Sequence, residues 1–282
     1  METATTAADL RRRVANWRRS GARVGLVPTM GNLHEGHYSL LEKARAHSDH
    51  VVATVFVNPT QFGPREDFGT YPRTPEADRD GLQAHGCELM FAPAVEEIYP
   101  YGVERTVRVD VPVISETLEG EMRPGHFGGV ATVVTKLFNL VQPDVAVFGQ
   151  KDYQQLLVIR RMVSDLALPI EIVAAPTFRE ENGLAMSSRN QYLSAEERDR
   201  AGVIYRTLQR MGDGVKSNFG LMTIETDARK ALEAEGLSVD YAVLRRAEDL
   251  GEPSPEQRSG LVALIAARLG RARLIDNLLV DL

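Results

Sequence analysis

A single cysteine, Cys87, stands in 282 residues. It can form neither an intrachain disulfide nor a cysteine-based zinc cluster. That usage suits a reducing compartment and predicts a cytoplasmic protein. No apolar run approaches the roughly 20 residues of a membrane helix, so no membrane partner is expected. Excess positive charge is missing as well: 33 Lys and Arg against 39 Asp and Glu leave a formal charge of -6. Nucleic-acid binders usually present a basic face, so nucleic acid is not an expected partner. A local basic pocket for a small anion stays open. Internal repeats and low-complexity tracts are absent. The arginine-rich stretch LRRRVANWRRS (10–20) follows acidic Glu2 and Asp9 and lacks an apolar segment with a cleavage site, which argues against a targeting peptide. It reads instead as an amphipathic helix with Leu10, Val14 and Trp17 facing inward.

What is present is a chain of 43% hydrophobic residues, enough for one large or two modest domains. Strand-like and helix-like runs alternate through the first 176 residues. RVGLVPT (23–29), VVATVFVNP (51–59), CELMFAP (87–93), VAVFG (145–149) and IEIVAAP (170–176) read as strands. HYSLLEKARAHS (37–48), ADRDGLQAHG (77–86), VATVVTKLFNLVQ (130–142) and DYQQLLVIRRMVSDL (152–166) read as helices. Apolar strands alternating with helices predict an α/β fold with a Rossmann-like parallel sheet covered on both faces. Beyond Pro176 the texture changes. SAEERDRAGVIYRTLQRM (194–211) opens with Ser194 and places Glu197 three residues on, a capping-box pattern. VDYAVLR, LVALIAARL and RLIDNLLV suit a small antiparallel sheet. The expected organisation is residues 1–176 as the Rossmann-like domain and 177–282 as a smaller α+β domain.

LVPTMGNLHEGHYSLLEKAR (26–45) sets His34 and His37 three apart around Gly36, just after an apolar run. A zinc site of the H-E-x-x-H type needs the histidines four apart, and this text is one residue short. A phosphate site fits the pattern: a strand, a turn with Pro28, Thr29, Gly31 and Asn32, then a helix start whose N–H groups attract anions. The histidines could donate hydrogen bonds to phosphate oxygens as charge builds there. Two surface histidines on an ordinary helix is the plain alternative. Far along the chain, GLAMSSRNQYL (183–193) offers Ser187, Ser188 and Arg189 in a polar loop. Such groups suit phosphates and developing negative charge, although SSRN also fits a loop leading to a helix cap.

Together these two segments resemble the HIGH and KMSKS signatures of the nucleotidylyltransferase superfamily. FVNPTQF (56–62), YPRT (71–74), LEGEMRPGHFGGVATVVTKLFN (118–139), FGQKDYQQL (148–156) and ARLIDN (272–277) narrow the likeness. In that order, from about residue 10 onward, they resemble the pantoate–β-alanine ligase family. The resemblance implies a two-step reaction. Pantoate's carboxylate attacks the α-phosphate of ATP to give pantoyl adenylate and pyrophosphate, and β-alanine's amine then displaces AMP.

The resemblance also implies roles. His34, His37, Lys151, Ser187, Ser188 and Arg189 match the catalytic positions that handle ATP phosphates. Met30, Gly149, Asp152 and Met186 join His37, Lys151, Ser187 and Arg189 around the nucleotide, Asp152 at its ribose. Gln61 and Gln155 match pantoate clamps, with Met30 lining the same pocket. An amide both donates and accepts, which suits hydroxyl and carboxylate oxygens. Asp78 matches a Mg2+-associated acid, while Ala77 stands where some relatives carry another. His126 and Arg123 of RPGHF read as site walls or a structural turn, and Glu119 as a nearby binder or loop anchor. Gln150 replaces the commoner glutamate of GEKD, and AMSSRN lacks the first lysine of KMSKS. The family is typically homodimeric. The alternative function is nucleotide transfer onto a phosphorylated acceptor, which needs further cationic anchors. A hydrolysable adenylate requires water to be excluded. The second domain is therefore expected to act as a lid hinged at 176–181, beside a glycine- and charge-rich loop at 63–70.

Overall fold

The structure, a computed structural model, describes residues 1–64, 66 and 68–280. Arg65 and Asp67 of the 63–70 loop lie outside the described residues. The chain divides into two compact units, Met1–Gly149 with Gln154–Ala175, and Gln150–Tyr153 with Pro176–Leu282.

The first unit follows the βα alternation read from sequence. Its elements are β1 (Glu2–Ala4), α1 (Ala7–Arg19), β2 (Val24–Thr29), α2 (Glu35–Arg45), β3 (His50–Val55), α3 (Pro75–Ala84), β4 (Leu89–Phe91), α4 (Val95–Ile98), α5 (Glu119–Met122), α6 (His126–Val141), β5 (Val145–Gly149), α7 (Tyr153–Asp165) and β6 (Glu171–Ala175). The strands form one parallel sheet in the order β1-β4-β3-β2-β5-β6. From β2 the chain builds outward through β3 and β4, then restarts at β5 on the other side of β2. The carboxyl ends of β2 and β5 therefore flank a topological switch point, the usual ligand crevice of an open α/β sheet.

Side chains alternate across the sheet, so both faces of the central strands are buried. On one face Val27, Val51, Ala53, Val145 and Val147 pack against Leu40, Leu41 and Ala44 of α2 and Leu82 of α3. Gly25 lies so close beneath the segment after α2 that a Cβ there would come within 3.2 Å of the Ser48 Cβ. The alternate positions, Val24, Leu26, Val52 and Ala146, are equally buried. In α1, Leu10 and Val14 are buried and Trp17 stacks on His50 at 4.4 Å.

The second unit contains α8 (Ala195–Ala201), α9 (Val203–Lys216), α10 (Leu221–Ala234), β7 (Ser238–Arg246), β8 (Leu261–Leu269) and β9 (Ala272–Val280). Its strands pair antiparallel in the order β7-β8-β9. Ile204, Leu208 and Met211 of α9 and Ile224, Ala228 and Leu232 of α10 share one core with Leu261, Ala263, Ile265 and Ala267 of β8. The capping box is present: Ser194 Oγ accepts from Glu197 N–H at 3.2 Å, and the Glu197 carboxylate accepts from Ser194 N–H at 2.8 Å.

Three differences from the sequence expectations have simple causes. β1 is only three residues long and gains its place by pairing with β4, which no local pattern announces. α10 has no counterpart among the expected elements, although Ile224, Ala228 and Leu232 repeat at helical spacing. α2 starts two residues earlier than its apolar pattern, at Glu35, which makes His34 its N-cap.

Candidate active site

In the first unit, β2 ends at Thr29 and the chain turns sharply into α2. Gly31 has φ +81° and Asn32 φ +52°, so two successive residues occupy the left-handed region. Glycine tolerates this and asparagine does so at modest cost. The amides in this turn are accounted for. Gly31 N–H points to Thr29 Oγ1 at 3.3 Å, while Thr29 Oγ1 itself donates to Thr54 O at 2.6 Å. Asn32 N–H donates to Asp78 Oδ2 at 3.0 Å and Leu33 N–H to Asp78 Oδ1 at 2.8 Å. Asp78, on α3, also accepts from Thr74 Oγ1 at 3.1 Å and is only 2% exposed.

That geometry bears on the expected Mg2+ role of Asp78. A metal ligand must turn a lone pair toward an open coordination position. Asp78 spends its two oxygens on two backbone amides and a hydroxyl, and burial seals the remainder. Its carboxylate fits a clamp on the turn and does not fit a magnesium ligand. Among the described residues, no group of three or more His, Cys, Asp or Glu could hold a metal ion.

Beyond the clamp, His34 caps α2. The rings of His34 and His37 lie 4.1 Å apart, tilted by 45°. His34 N–H approaches His37 Nδ1 at 3.4 Å, which leaves the proton of a neutral His37 on Nε2. By helix geometry the amides of Glu35 and Gly36 have no intrahelical acceptor. An anion at this end meets amide donors, imidazoles and the positive end of the helix dipole. Beside it, the Tyr38 ring stacks on His85 at 4.0 Å. Burial, then the Asp78 and Glu35 carboxylates, raise its phenol above the ordinary range.

Gln61 closes a short turn, Pro59–Gln61, that follows β3. Asn58 organises it from a position 1% exposed. Its Nδ2 donates to Gln61 Oε1 at 3.0 Å and Gly129 O at 3.2 Å, while its Oδ1 accepts from Tyr99 Oη at 2.6 Å and Thr60 Oγ1 at 2.9 Å. Burial raises the Tyr99 phenol, which keeps it a donor. With Gln61 Oε1 engaged, Gln61 Nε2 faces Met30 Sδ at 3.2 Å. Met30 and Gln61, expected in one pocket, are in contact. Gly129 is required here: a Cβ would collide with the Thr60 carbonyl.

The other first-unit residues separate into lining and anchoring groups. Gly149 ends β5 at the switch point. On α7, Gln155 is half-buried, whereas its neighbour Gln154 is buried and structural. Gln154 donates to Ile114 O at 2.7 Å and Thr117 O at 2.8 Å, and accepts from Glu119 N–H at 3.1 Å. Buried Glu119 thereby belongs to a loop anchor.

In the second unit, Lys151 and Asp152 lie on a single 3-10 turn, Gln150–Asp152, with Lys151 Nζ 3.5 Å from Asp152 Oδ1. Asn277 of β9 holds this turn by donating Nδ2 to Gln150 O and Lys151 O, both at 2.9 Å. Next to it, Asp276 accepts from Arg179 at 2.6 and 3.0 Å, and the Arg179 guanidinium lies 3.7 Å over the Tyr205 ring. Burial pushes the Asp276 carboxyl upward against the opposing pull of Arg179, the Asn277 amide and Lys151.

Arg179 also bridges to Ala185, and Met186 N–H donates to Phe178 O at 2.9 Å. These contacts close a hairpin that delivers the serines. Ser187 caps the short helix Ser188–Tyr192 by accepting from Arg189 N–H at 3.3 Å. Buried Asn190 ties it to Glu180 Oε1 at 2.8 Å and Ala185 O at 3.1 Å. Met186, Ser187, Ser188 and Arg189 remain half-buried. Asn58, Tyr99, Gln154, Arg179 and Asn277 carry no assigned role in the sequence reading. Only their placement in FVNPTQF, FGQKDYQQL and ARLIDN could have flagged three of them.

Comparisons with known proteins follow the same lines. The family model for pantoate-beta-alanine ligase matches residues 2–279. Among curated proteins, pantothenate synthetase of Xylella fastidiosa (strain 9a5c) is 60% identical over 279 residues, covering 99% of both chains. That of Stenotrophomonas maltophilia (strain K279a) is 58% identical over 278 residues with the same coverage. Among solved structures, pantothenate synthetase from Thermus thermophilus superposes with a TM-score of 0.93 at 48% identity, covering 100% of both chains. A pantoate-beta-alanine ligase from Francisella tularensis, complexed with beta-gamma ATP and beta-alanine, gives 0.82 at 32% identity, covering 99% of this chain and 97% of that one.

Proposed function

Since the chain belongs to the pantoate–β-alanine ligase family, we propose how its residues join pantoate to β-alanine in two ATP-driven steps. In the first, a pantoate carboxylate oxygen attacks the α-phosphorus of ATP. The bond to the bridging oxygen breaks and pyrophosphate leaves. In the second, the unprotonated β-alanine amine attacks the pantoyl carbonyl. The bond to AMP breaks, the amine loses a proton, and pantothenate and AMP are released.

Little covalent chemistry falls to the protein, so positioning and charge stabilisation do the catalysis. His34 and His37, at the start of α2, donate to phosphate oxygens as the pentavalent phosphorus forms. Lys151, Ser187, Ser188 and Arg189 neutralise the phosphates and the departing pyrophosphate. Asp152 takes the ribose, and Gly149 and Met186 line the nucleotide. Gln61 and Gln155 hold pantoate's hydroxyl and carboxylate groups, with Met30 against its apolar part. Magnesium, when bound with ATP, would supply further positive charge at the phosphates. The second unit acts as a lid hinged at 176–181, the enzyme works as a homodimer, and it resides in the cytoplasm. No helix among the described residues is long and apolar enough to cross a membrane.

The observation that carries this reading is the Gln61–Met30 contact beside the His34-capped helix, within a chain matched by the family over residues 2–279. The test is pyrophosphate release from ATP, magnesium and pantoate. About one equivalent per site without β-alanine, and continuous turnover with it, is the expected result. No pantoate-dependent release overturns the substrate assignment and turns attention to phosphorylated acceptors. Equal domain angles in ligand-free and adenylate-bound crystals would sink the lid.

A further inference from the structure

The Asn58–Phe62 turn is pinned from outside by a residue that the sequence leaves open between site wall and structural turn. His126, at the first position of α6, places Nδ1 2.8 Å from Gln61 O. A carbonyl oxygen only accepts, so Nδ1 carries a proton. On the other side of the ring, Arg123 Nη1 lies 3.1 Å from His126 Nε2. A guanidinium only donates, so Nε2 is the acceptor. The two contacts allow one form of the ring, neutral with its proton on Nδ1.

Arg123 is itself fixed. Its Nε and Nη2 reach Glu66 Oε1 at 2.8 Å and Oε2 at 2.5 Å, a two-pronged ion pair. Burial and the Arg123 charge push the His126 imidazole down to about 4, against smaller opposing effects of the Gln61 carbonyl, Glu66 and Glu119. The ring therefore stays neutral at ordinary pH. Chemically, the order of donors runs from Arg123 through His126 to the Gln61 carbonyl. Asn58 sets the other end of Gln61, through Oε1 at 3.0 Å. Backbone and amide are thus both held, and Nε2 is aimed at Met30 Sδ.

We propose that His126 is a positioning residue for Gln61, donating from Nδ1 to the Gln61 carbonyl in a tautomer selected by the Arg123–Glu66 pair. It rests on the reading of Gln61 as a pantoate clamp. His126 touches neither substrate nor reacting atoms in this role.

Two measurements on the full-length enzyme test it. Long-range 1H–15N spectra report which imidazole nitrogen bears hydrogen. A neutral ring with the proton on Nδ1 at pH 7.5 is expected, and a proton on Nε2 overturns the proposal. Steady-state kinetics then compare H126N with H126Q. The Asn amide can occupy the Nδ1 position and the Gln amide reaches only toward Nε2. H126N should keep the pantoate KM within about threefold, while H126Q raises it about tenfold, the worth of one buried hydrogen bond. The KM for ATP should be unchanged in both. Equal rises in both KM values, or equal effects of the two variants, overturn the positioning role. Q61L separates the parent reading: an unchanged pantoate KM there removes Gln61 as a clamp, while the tautomer still decides whether His126 holds the turn.

Discussion

The Gln61 carboxamide nitrogen lies 3.2 Å from the Met30 sulfur, although 31 positions separate the two residues. Thioether sulfur is a weak acceptor, so the amide is oriented without being consumed. A bound oxygen ligand can replace sulfur at small cost. Q61L should raise the pantoate KM at least about tenfold and leave the ATP KM alone. M30L conserves volume, so it should cost less than about 1.5 kcal/mol of stability. Initial-rate kinetics over both substrates checks the pair.

Asp78 should behave as a fold residue. In D78N one carboxylate oxygen becomes an NH2 group facing a backbone donor, Asn32 or Leu33. The loss expected is about 2–3 kcal/mol, read from urea denaturation. The magnesium concentration giving half-maximal pyrophosphate release should not move. A large shift in that midpoint with intact stability would restore Asp78 as a metal ligand.

The buried imidazole gives a pH signature. His126 falls to about 4 in the folded protein, from an ordinary 6.5. Between those values the unfolded chain binds more protons, so stability rises with pH. The contribution is fully present above about 6.5 and is lost as pH falls toward 4. It amounts to something on the order of 3 kcal/mol. Urea denaturation from pH 7 to pH 4.5 should show a steeper loss in the wild type than in H126N, since Asn does not titrate.

In the second unit, Arg179 covers a buried carboxylate. R179A leaves Asp276 uncompensated and should destabilise by about 3–5 kcal/mol, whereas replacing both partners with apolar residues should recover much of this. N277A removes two hydrogen bonds to the Lys151 turn. Its effect should fall on ATP-dependent parameters, with the pantoate KM unchanged, as measured by pyrophosphate release.

Cys87 should be inert while the chain is folded. It is 4% exposed, and burial raises its thiol to about 11. Roughly one molecule in a thousand carries the thiolate at pH 8. A maleimide should label it only as urea unfolds the protein, and labelling under native conditions would refute this.

The alternating strands and helices, the capping box at Ser194 and the helix after the histidines were legible because each is a local pattern. So was the neighbourhood of Met30 and Gln61, through family likeness. The clamp that Asp78 forms was not legible, because its partners are backbone amides 45 and 46 positions away. Amides have no sequence signature. Gln154 and Gln155 illustrate the same limit: adjacent and identical in type, they differ because α7 turns one of them into the 114–119 loop. β1 is too short for any period to register.

Asn277 follows Lys151 by 126 residues. A ribosome adding about 5–20 residues per second makes the lysine roughly 6–25 seconds before the side chain that secures its turn. During that interval the first sheet can already form, since β6 ends at Ala175. A nascent chain can therefore hold its histidine-bearing half together while its lysine still waits for β9, the strand that fixes it.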